Sequence, residues 1–122
     1  MELAILEMYL EGVFPIEATF EGYNFEIVVG IISPILAYFV YTKKCVSENV
    51  ALLFNFLGLF TLAIIIFIII TSLYAPSVWG ESAPRITVEF SQAPYLLLPV
   101  FLAPVAIFAH IFSIIQIRKS RK

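Results

Sequence analysis

One long apolar stretch constrains this chain more than any other feature of its sequence. From Val50 to Leu73 the chain carries no charged side chain, and as a helix this stretch would extend about 36 Å. A transmembrane helix needs about 20 apolar residues to cross roughly 30 Å of hydrocarbon. The stretch therefore predicts a membrane span rather than a helix in the core of a water-soluble domain.

Two further apolar stretches predict two further spans. They extend from about residue 24 to 42 and from about residue 94 to 117. Over the 122 residues, 61% are hydrophobic and only 13% are charged, which is too little polar surface to cover a water-soluble domain of this size. We therefore expect residues 1–122 to form a single integral membrane domain, with the lipid bilayer as its surroundings.

A short helix is expected before the three spans. Residues 1–11 are good helix formers, and Gly12 and Pro15 end the helix. Its length of about 17 Å is too short to cross a bilayer alone. The predicted fold class is all-α: a helical transmembrane bundle of three spanning helices plus this short N-terminal helix. The short helix either packs beside the spans or belongs to a truncated fourth span.

The region after the second span contains two local patterns. Residues 85–90 alternate between polar and apolar, which suits a short strand or a segment lying at the membrane interface. Pro99 and Pro104 lie within the third predicted span, and proline lacks the N–H that an α-helix needs. We therefore expect a bend in the outer half of that span.

The basic residues predict the orientation of the chain. Of the seven, only Arg85 lies on one side of a three-span topology, and the other six lie on the opposite side. These six are Lys43, Lys44, Arg118, Lys119, Arg121 and Lys122. Cytoplasmic loops of membrane proteins carry an excess of lysine and arginine. The turn at residues 43–49 and the basic tail at 118–122 are therefore expected in the cytoplasm.

Three polar side chains within the spans form a candidate intramembrane polar site. At about 100° per residue, Glu26, Asn55 and His110 each share a helix face with small residues. Small residues let transmembrane helices approach closely, so we expect all three side chains to face the bundle. Asn55 and His110 lie about 8 Å and 10 Å from the cytoplasmic ends of their helices, so these two can meet. Glu26 lies at the outer end, and a direct pair with His110 is not expected.

Each of these residues has a structural and a functional interpretation. Intramembrane ionisable residues are costly and are therefore functional candidates. The structural interpretation of Asn55 and His110 is an interhelical hydrogen bond, and that of Glu26 is a carboxylate that reaches outer water. The functional alternative is a role in proton or substrate movement. A metal site is not expected, because no second histidine or cysteine completes one.

The sequence favours a non-catalytic function. No nucleophile–base pair can be assembled from these residues, so we expect neither an enzyme nor a cofactor. No nucleic-acid-binding motif is present. The expected function is association in the membrane, with another membrane protein or with a second copy of the chain. The alternative is a small transporter or proton-coupled carrier that uses His110 and Asn55, with Glu26 as a further residue on the path.

Several motifs carry a resemblance to a known family. They are Tyr9-Leu-Glu-Gly-Val-Phe-Pro15, Thr19-Phe-Glu-Gly-Tyr-Asn-Phe-Glu26-Ile, Asn55-Phe-Leu-Gly-Leu59, Ser72-Leu-Tyr-Ala-Pro76 and the run from Leu98 to His110. With these motifs the chain resembles a family of uncharacterised small bacterial multi-pass integral membrane proteins. It differs by carrying Glu26 where aspartate is expected, and Ser33 where threonine is more usual. The resemblance implies a bacterial inner-membrane protein whose first helix begins upstream of Met1, and it implies no reaction.

Overall fold

The computed structural model of the protein describes residues 2–120, so Arg121 and Lys122 of the predicted cytoplasmic tail lie outside the described residues. Within this range the chain is all-helical and contains no strand, which confirms the predicted class. The four α-helices are α1 (Glu2–Leu10), α2 (Glu26–Ala37), α3 (Glu48–Tyr74) and α4 (Ala103–Ser120). Two π-helical segments, Tyr38–Thr42 and Leu98–Leu102, continue α2 and precede α4. Three 3-10 turns connect the helices, at Ile16–Ala18, Pro76–Trp79 and Val88–Ser91.

The helix lengths agree only in part with three full spans. α3 and the segment Leu98–Lys119 are long and apolar enough to cross a membrane, whereas the helix Glu26–Thr42 is shorter. Its length is about 26 Å at 1.5 Å per residue. Its start is determined by Asn24, whose Oδ1 accepts a hydrogen bond from the Glu26 N–H at 3.1 Å. A bundle of three equivalent spans is therefore not confirmed.

The helix of the third predicted span begins later than the sequence indicated. Residues 93–96 form turns, and continuous helical structure begins only at Leu97, directly before the π-helical segment. Pro94, Pro99 and Pro104 have no N–H to donate, so the regular α-helical hydrogen bonds cannot form around them. The regular helix α4 therefore starts at Ala103, after the π-helical segment, and the bend expected from Pro99 and Pro104 stays a prediction.

The short helix α1 packs against α3 and the segment that precedes α4. Ile5 and Met8 are fully buried and belong to a core that also contains Leu62, Ile65 and Leu98. Gly12 ends the helix with a φ of +74°, a left-handed backbone conformation that glycine adopts without a steric penalty. Packing against α3 and the segment before α4 therefore stabilises a helix too short to be stable in isolation.

The segment at residues 85–90 is not a strand. Ile86 and Phe90 are buried in the same core as α1, and Phe90 packs on Phe14 with 4.9 Å between ring centroids. One backbone bond reaches the N-terminal region, from the Thr87 N–H to the Val13 carbonyl oxygen at 3.4 Å. The strand interpretation of the polar–apolar alternation was therefore wrong: two apolar side chains of this segment anchor a loop to the core.

The central helix of the fold is α3. Both α2 and α4 pack on it, and they make little contact with each other. Ser47 caps its N-terminus by accepting a hydrogen bond from the Asn49 N–H at 3.2 Å, as serine does at many helix starts. Arg118 and Lys119 occupy the last turn of α4, where positive charge is favourable beside the unpaired carbonyl groups. This arrangement leaves a space between α2 and α4 over the surface of α3.

Candidate binding cleft

A cleft of about 790 Å³ occupies the space between α2 and α4, with α3 at its base. All three candidate residues identified from the sequence, Glu26, Asn55 and His110, line this cleft. Most of the remaining wall is made of small or apolar side chains, including Gly30, Ser33, Ala37, Ala51, Ala106 and Ala109. The structure therefore brings the candidate residues together in one apolar space with polar groups at separate positions.

Asn55 and His110 are in direct contact, as their similar depth predicted. Nδ1 of His110 lies 3.0 Å from Oδ1 of Asn55. The Asn55 amide nitrogen donates to the carbonyl oxygen of Ala51 at 2.8 Å and to Oγ of Ser113 at 3.0 Å. The contacts of Asn55 with His110 and with Ser113 connect α3 to α4 at two points. Ser113 was not among the candidate residues, although it lies three residues after His110 and therefore on the same helix face.

Gly58 allows the imidazole ring to approach α3. A Cβ atom at this position would lie 2.3 Å from Cε1 and 2.6 Å from Nε2 of His110. Real Cβ atoms essentially never lie so close to other heavy atoms, so any larger residue here displaces the ring. Gly58 therefore makes possible the contact between His110 and Asn55, which lies three residues earlier on the same face of α3.

Glu26 is buried rather than exposed to outer water. Its residue is only 8% exposed, and its Oε1 accepts a hydrogen bond from the hydroxyl of Thr61, which is 6% exposed. The interpretation of Glu26 as a carboxylate reaching outer water was therefore wrong, because α2 packs on α3 at this level and covers it. Thr61 was missed by the sequence analysis, although it extends the Asn55–Gly58 face by three residues.

Glu26 and His110 remain separate, as expected from their positions. No hydrogen bond or ion pair joins them among the residues that the structure describes. Within the same residues, no group of three or more histidine, cysteine, aspartate and glutamate side chains is arranged to hold a metal ion. The polar chemistry of the cleft therefore consists of two hydrogen-bonded groups, one around Glu26 and one around His110.

A second polar cluster lies outside the cleft, in the segment between α3 and α4. Arg85 Nη2 lies 2.7 Å from Glu17 Oε2, and the guanidinium group lies 5.3 Å from the ring centroid of Trp79. On the adjacent exposed turn, a hydrogen bond from the Thr87 side chain holds the pKa of the Glu89 carboxyl below its usual value. This cluster fastens the segment to the chain around residue 17, away from the cleft.

A smaller cavity of about 280 Å³ lies on the other side of α4 and is entirely apolar in its side chains. It is bounded by Ile5 of α1, by Leu62 and Ile65 of α3, and by Pro99 and Pro104 near the start of α4. The two prolines, which predicted a bend, therefore lie where the chain leaves a space between helices. With no polar side chain, this cavity provides apolar packing surface and no hydrogen-bonding chemistry.

Comparison of the chain with protein-family models, with curated proteins and with solved structures finds no match. The resemblance to bacterial multi-pass membrane proteins therefore stays a prediction from the sequence motifs.

Proposed function

We propose that this chain is a multi-pass protein of the bacterial cell membrane with its C-terminus in the cytoplasm. The support comes from its exposed apolar surface. In α3, only 28% of the 18-residue apolar stretch is buried inside the protein. In the segment Leu98–Lys119, the corresponding buried share is 11%. A helix in the core of a water-soluble protein is mostly buried. Here Phe60, Phe67 and Phe108 are 64%, 57% and 67% exposed, which suits contact with lipid.

We propose that α2, with its π-helical continuation, also crosses the membrane. The helix Glu26–Thr42 is close to the shortest length that crosses a bilayer, about 17 residues. Lys43 and Lys44 follow its end, and Arg118 and Lys119 lie at the end of α4. An even number of crossings between these two basic regions places both on the same side, in agreement with the positive-inside rule.

Reporter fusions test this topology. A reporter joined at Ser47 and one joined after Lys122 should both be active in the cytoplasm. A reporter joined at Ser82, in the segment between α3 and α4, should be active only outside. A cytoplasmic signal from the Ser82 fusion would rule out the three-crossing topology.

We propose that the protein acts without catalysis, by receiving a membrane helix of a partner protein or of a second copy in its cleft. The observation that carries this proposal is the cleft between α2 and α4, whose walls are small side chains. The cleft has a volume of about 790 Å³ and is lined by residues 26–37 of α2 and by residues 105–113 of α4, so it follows both helices over several turns. Small residues allow such close helix packing in membranes.

A pair of alanine variants tests this association. Ala109 is exposed and lines the cleft, whereas Ala63 is exposed on α3 and does not line it. Ala109→Leu should abolish association, because the added atoms fill the space for the incoming helix, and Ala63→Leu should leave it unchanged. The measurement is the dimer fraction by single-molecule photobleaching in liposomes, together with the stoichiometry of any partner purified with the chain. Equal association of both variants and the parent protein would contradict the use of the cleft.

A second function is supported by the polar groups of the same cleft: a small transporter or proton-coupled carrier. Small-molecule sites are commonly apolar cavities of about 300–1,000 Å³ with a few placed polar groups, which describes this cleft. In this function His110 and Asn55 line the substrate path, and Glu26 lies further along it. Uptake into proteoliposomes tests it. His110→Ala and Asn55→Ala should each abolish uptake while the protein stays folded, and uptake by a fully folded His110→Ala variant would exclude this role.

A further inference from the structure

The hydrogen bonds around Asn55 determine which nitrogen of His110 carries the proton. The Ala51 carbonyl oxygen can only accept a hydrogen bond, so the Asn55 atom 2.8 Å away is the amide nitrogen. The amide oxygen therefore faces Nδ1 of His110, at 3.0 Å. Because an amide oxygen also only accepts, Nδ1 must donate. In a neutral ring the other nitrogen, Nε2, is then an acceptor without a proton.

Nε2 has no partner within the part of the chain that the structure describes, and it is not among the enclosed side-chain atoms. His110 lines the cleft, and we infer that a ligand reaches this nitrogen from there. The absence of a side chain at Gly58 keeps it uncovered, because a Cβ there would lie 2.6 Å from Nε2. An acceptor without a partner among apolar walls is unfavourable, and a donor group brought by a ligand would satisfy it.

We propose that the cleft binds an amphiphile with an apolar body and a hydroxyl group, and that this hydroxyl donates a hydrogen bond to Nε2 of His110. The apolar body would lie along the walls formed by Leu102, Val105 and Ala106. A hydroxyl suits this position better than an ammonium group, because removing a charge from water is far more costly than removing a hydroxyl. The proposal rests on the second proposed function, in which a small molecule occupies the cleft.

Asn55 and Ala51 are positioning residues in this proposal. Asn55 holds the proton on Nδ1, and the Ala51 carbonyl oxygen, which can only accept a hydrogen bond, opposes rotation of the Asn55 amide group. If the amide turned over, its nitrogen would face the ring, and Nδ1 would become the acceptor. The preference of the site for a ligand that donates a hydrogen bond therefore depends on two residues that need not touch the ligand.

Solid-state NMR of the full chain in lipid bilayers tests the protonation pattern. The chain has one histidine, so labelling histidine with ¹⁵N gives signals from His110 alone. We expect a protonated Nδ1 and an unprotonated Nε2 in the parent protein, and a changed ratio of the two tautomers in Asn55→Ala. A parent protein with its proton mainly on Nε2 would overturn the proposal.

Two matched probes test the ligand class in the same samples. 1-Dodecanol has a hydroxyl donor, and its methyl ether has the same apolar chain without one. Titration with dodecanol should move the Nε2 signal to saturation, and the ether should bind about tenfold more weakly. Ala109→Leu should remove the response to dodecanol, whereas Ala63→Leu should retain it. Equal binding of the two probes would overturn the hydroxyl preference but leave the cleft as a ligand site. Binding of neither probe would overturn both.

Discussion

Replacing Gly58 with alanine tests the contact between α3 and α4 most directly. The added Cβ would lie 2.3 Å from Cε1 of His110, so the ring has to leave its position. Gly30 provides a matched control. It also lies inside a helix and lines the cleft, but a Cβ there would meet no atom within 4 Å. Both substitutions change glycine to alanine in a helix, so their gain in helix propensity is shared.

The expected difference between the two variants follows from the contacts that Gly58→Ala disrupts. Alanine in place of glycine within a helix gains roughly 1 kcal/mol, so Gly30→Ala should be neutral or stabilising. Gly58→Ala adds an overpacking cost of about 1–3 kcal/mol. It also loses an interhelical hydrogen bond, which contributes about 0.6 and at most about 1.7 kcal/mol. We therefore expect Gly58→Ala to be less stable than Gly30→Ala by about 2–4 kcal/mol.

Reversible unfolding in bicelles, followed by circular dichroism, measures this difference. A second measurement removes the ring: in a His110→Ala background the clash is absent, so Gly58→Ala should cost little or nothing. The coupling between the two positions should therefore be large, as expected for residues in contact. Equal stability of Gly58→Ala and Gly30→Ala, or a full cost of Gly58→Ala in the absence of the ring, would refute the reasoning.

Three further predictions concern the other polar contacts. In a double-mutant cycle, Asn55→Ala and His110→Ala should together cost less than the sum of the single changes, by about 0.6–1.7 kcal/mol of unfolding free energy; strict additivity would contradict the hydrogen bond. Thr61→Val should destabilise the protein by about 1–3 kcal/mol in the same unfolding assay, because it leaves the buried carboxyl of Glu26 without its partner, and Thr61→Ser should restore the stability. Arg85→Gln should cost about 1 kcal/mol at low salt and less at high salt, since its ion pair and its ring contact are partly exposed; a salt-independent cost would point to packing alone.

The parts of the fold that the sequence predicted well are those with a single dominant physical cause. The helix of the second predicted span was expected at 50–73 and is observed as Glu48–Tyr74, because an uninterrupted apolar run leaves few alternatives to a helix. The N-terminal helix was expected at 1–11 and its described part is Glu2–Leu10. The start of the third helix was predicted less well. Turns and helix compete after Pro94, and the hydrophobicity of the residues does not distinguish between them.

The candidate site shows a similar division. Asn55 and His110 could be paired from the sequence, because helical rise gives their depth and neighbouring small residues give their direction. Thr61 could not be identified as the partner of Glu26, since a threonine in an apolar helix commonly bonds to its own backbone. Both Thr61 and Thr71 lie within hydrogen-bond distance of a backbone carbonyl oxygen of their own helix, at 2.9 Å and 2.8 Å. Only the packing of other segments on α3 shows that Thr61 meets Glu26 and that Thr71 meets Trp79.

In the proposed three-crossing topology, the unequal lengths of α2 and α3 would affect the surrounding membrane. α3 has 27 residues and extends about 40 Å, whereas the helix from Glu26 to Thr42 extends about 26 Å. A helix longer than the hydrocarbon thickness tilts or thickens the bilayer, and a shorter one thins it. In that topology the lipid would be thinnest beside α2. The cleft lies along that helix, so molecules that approach it from the bilayer would come through the most compressed part of the lipid shell.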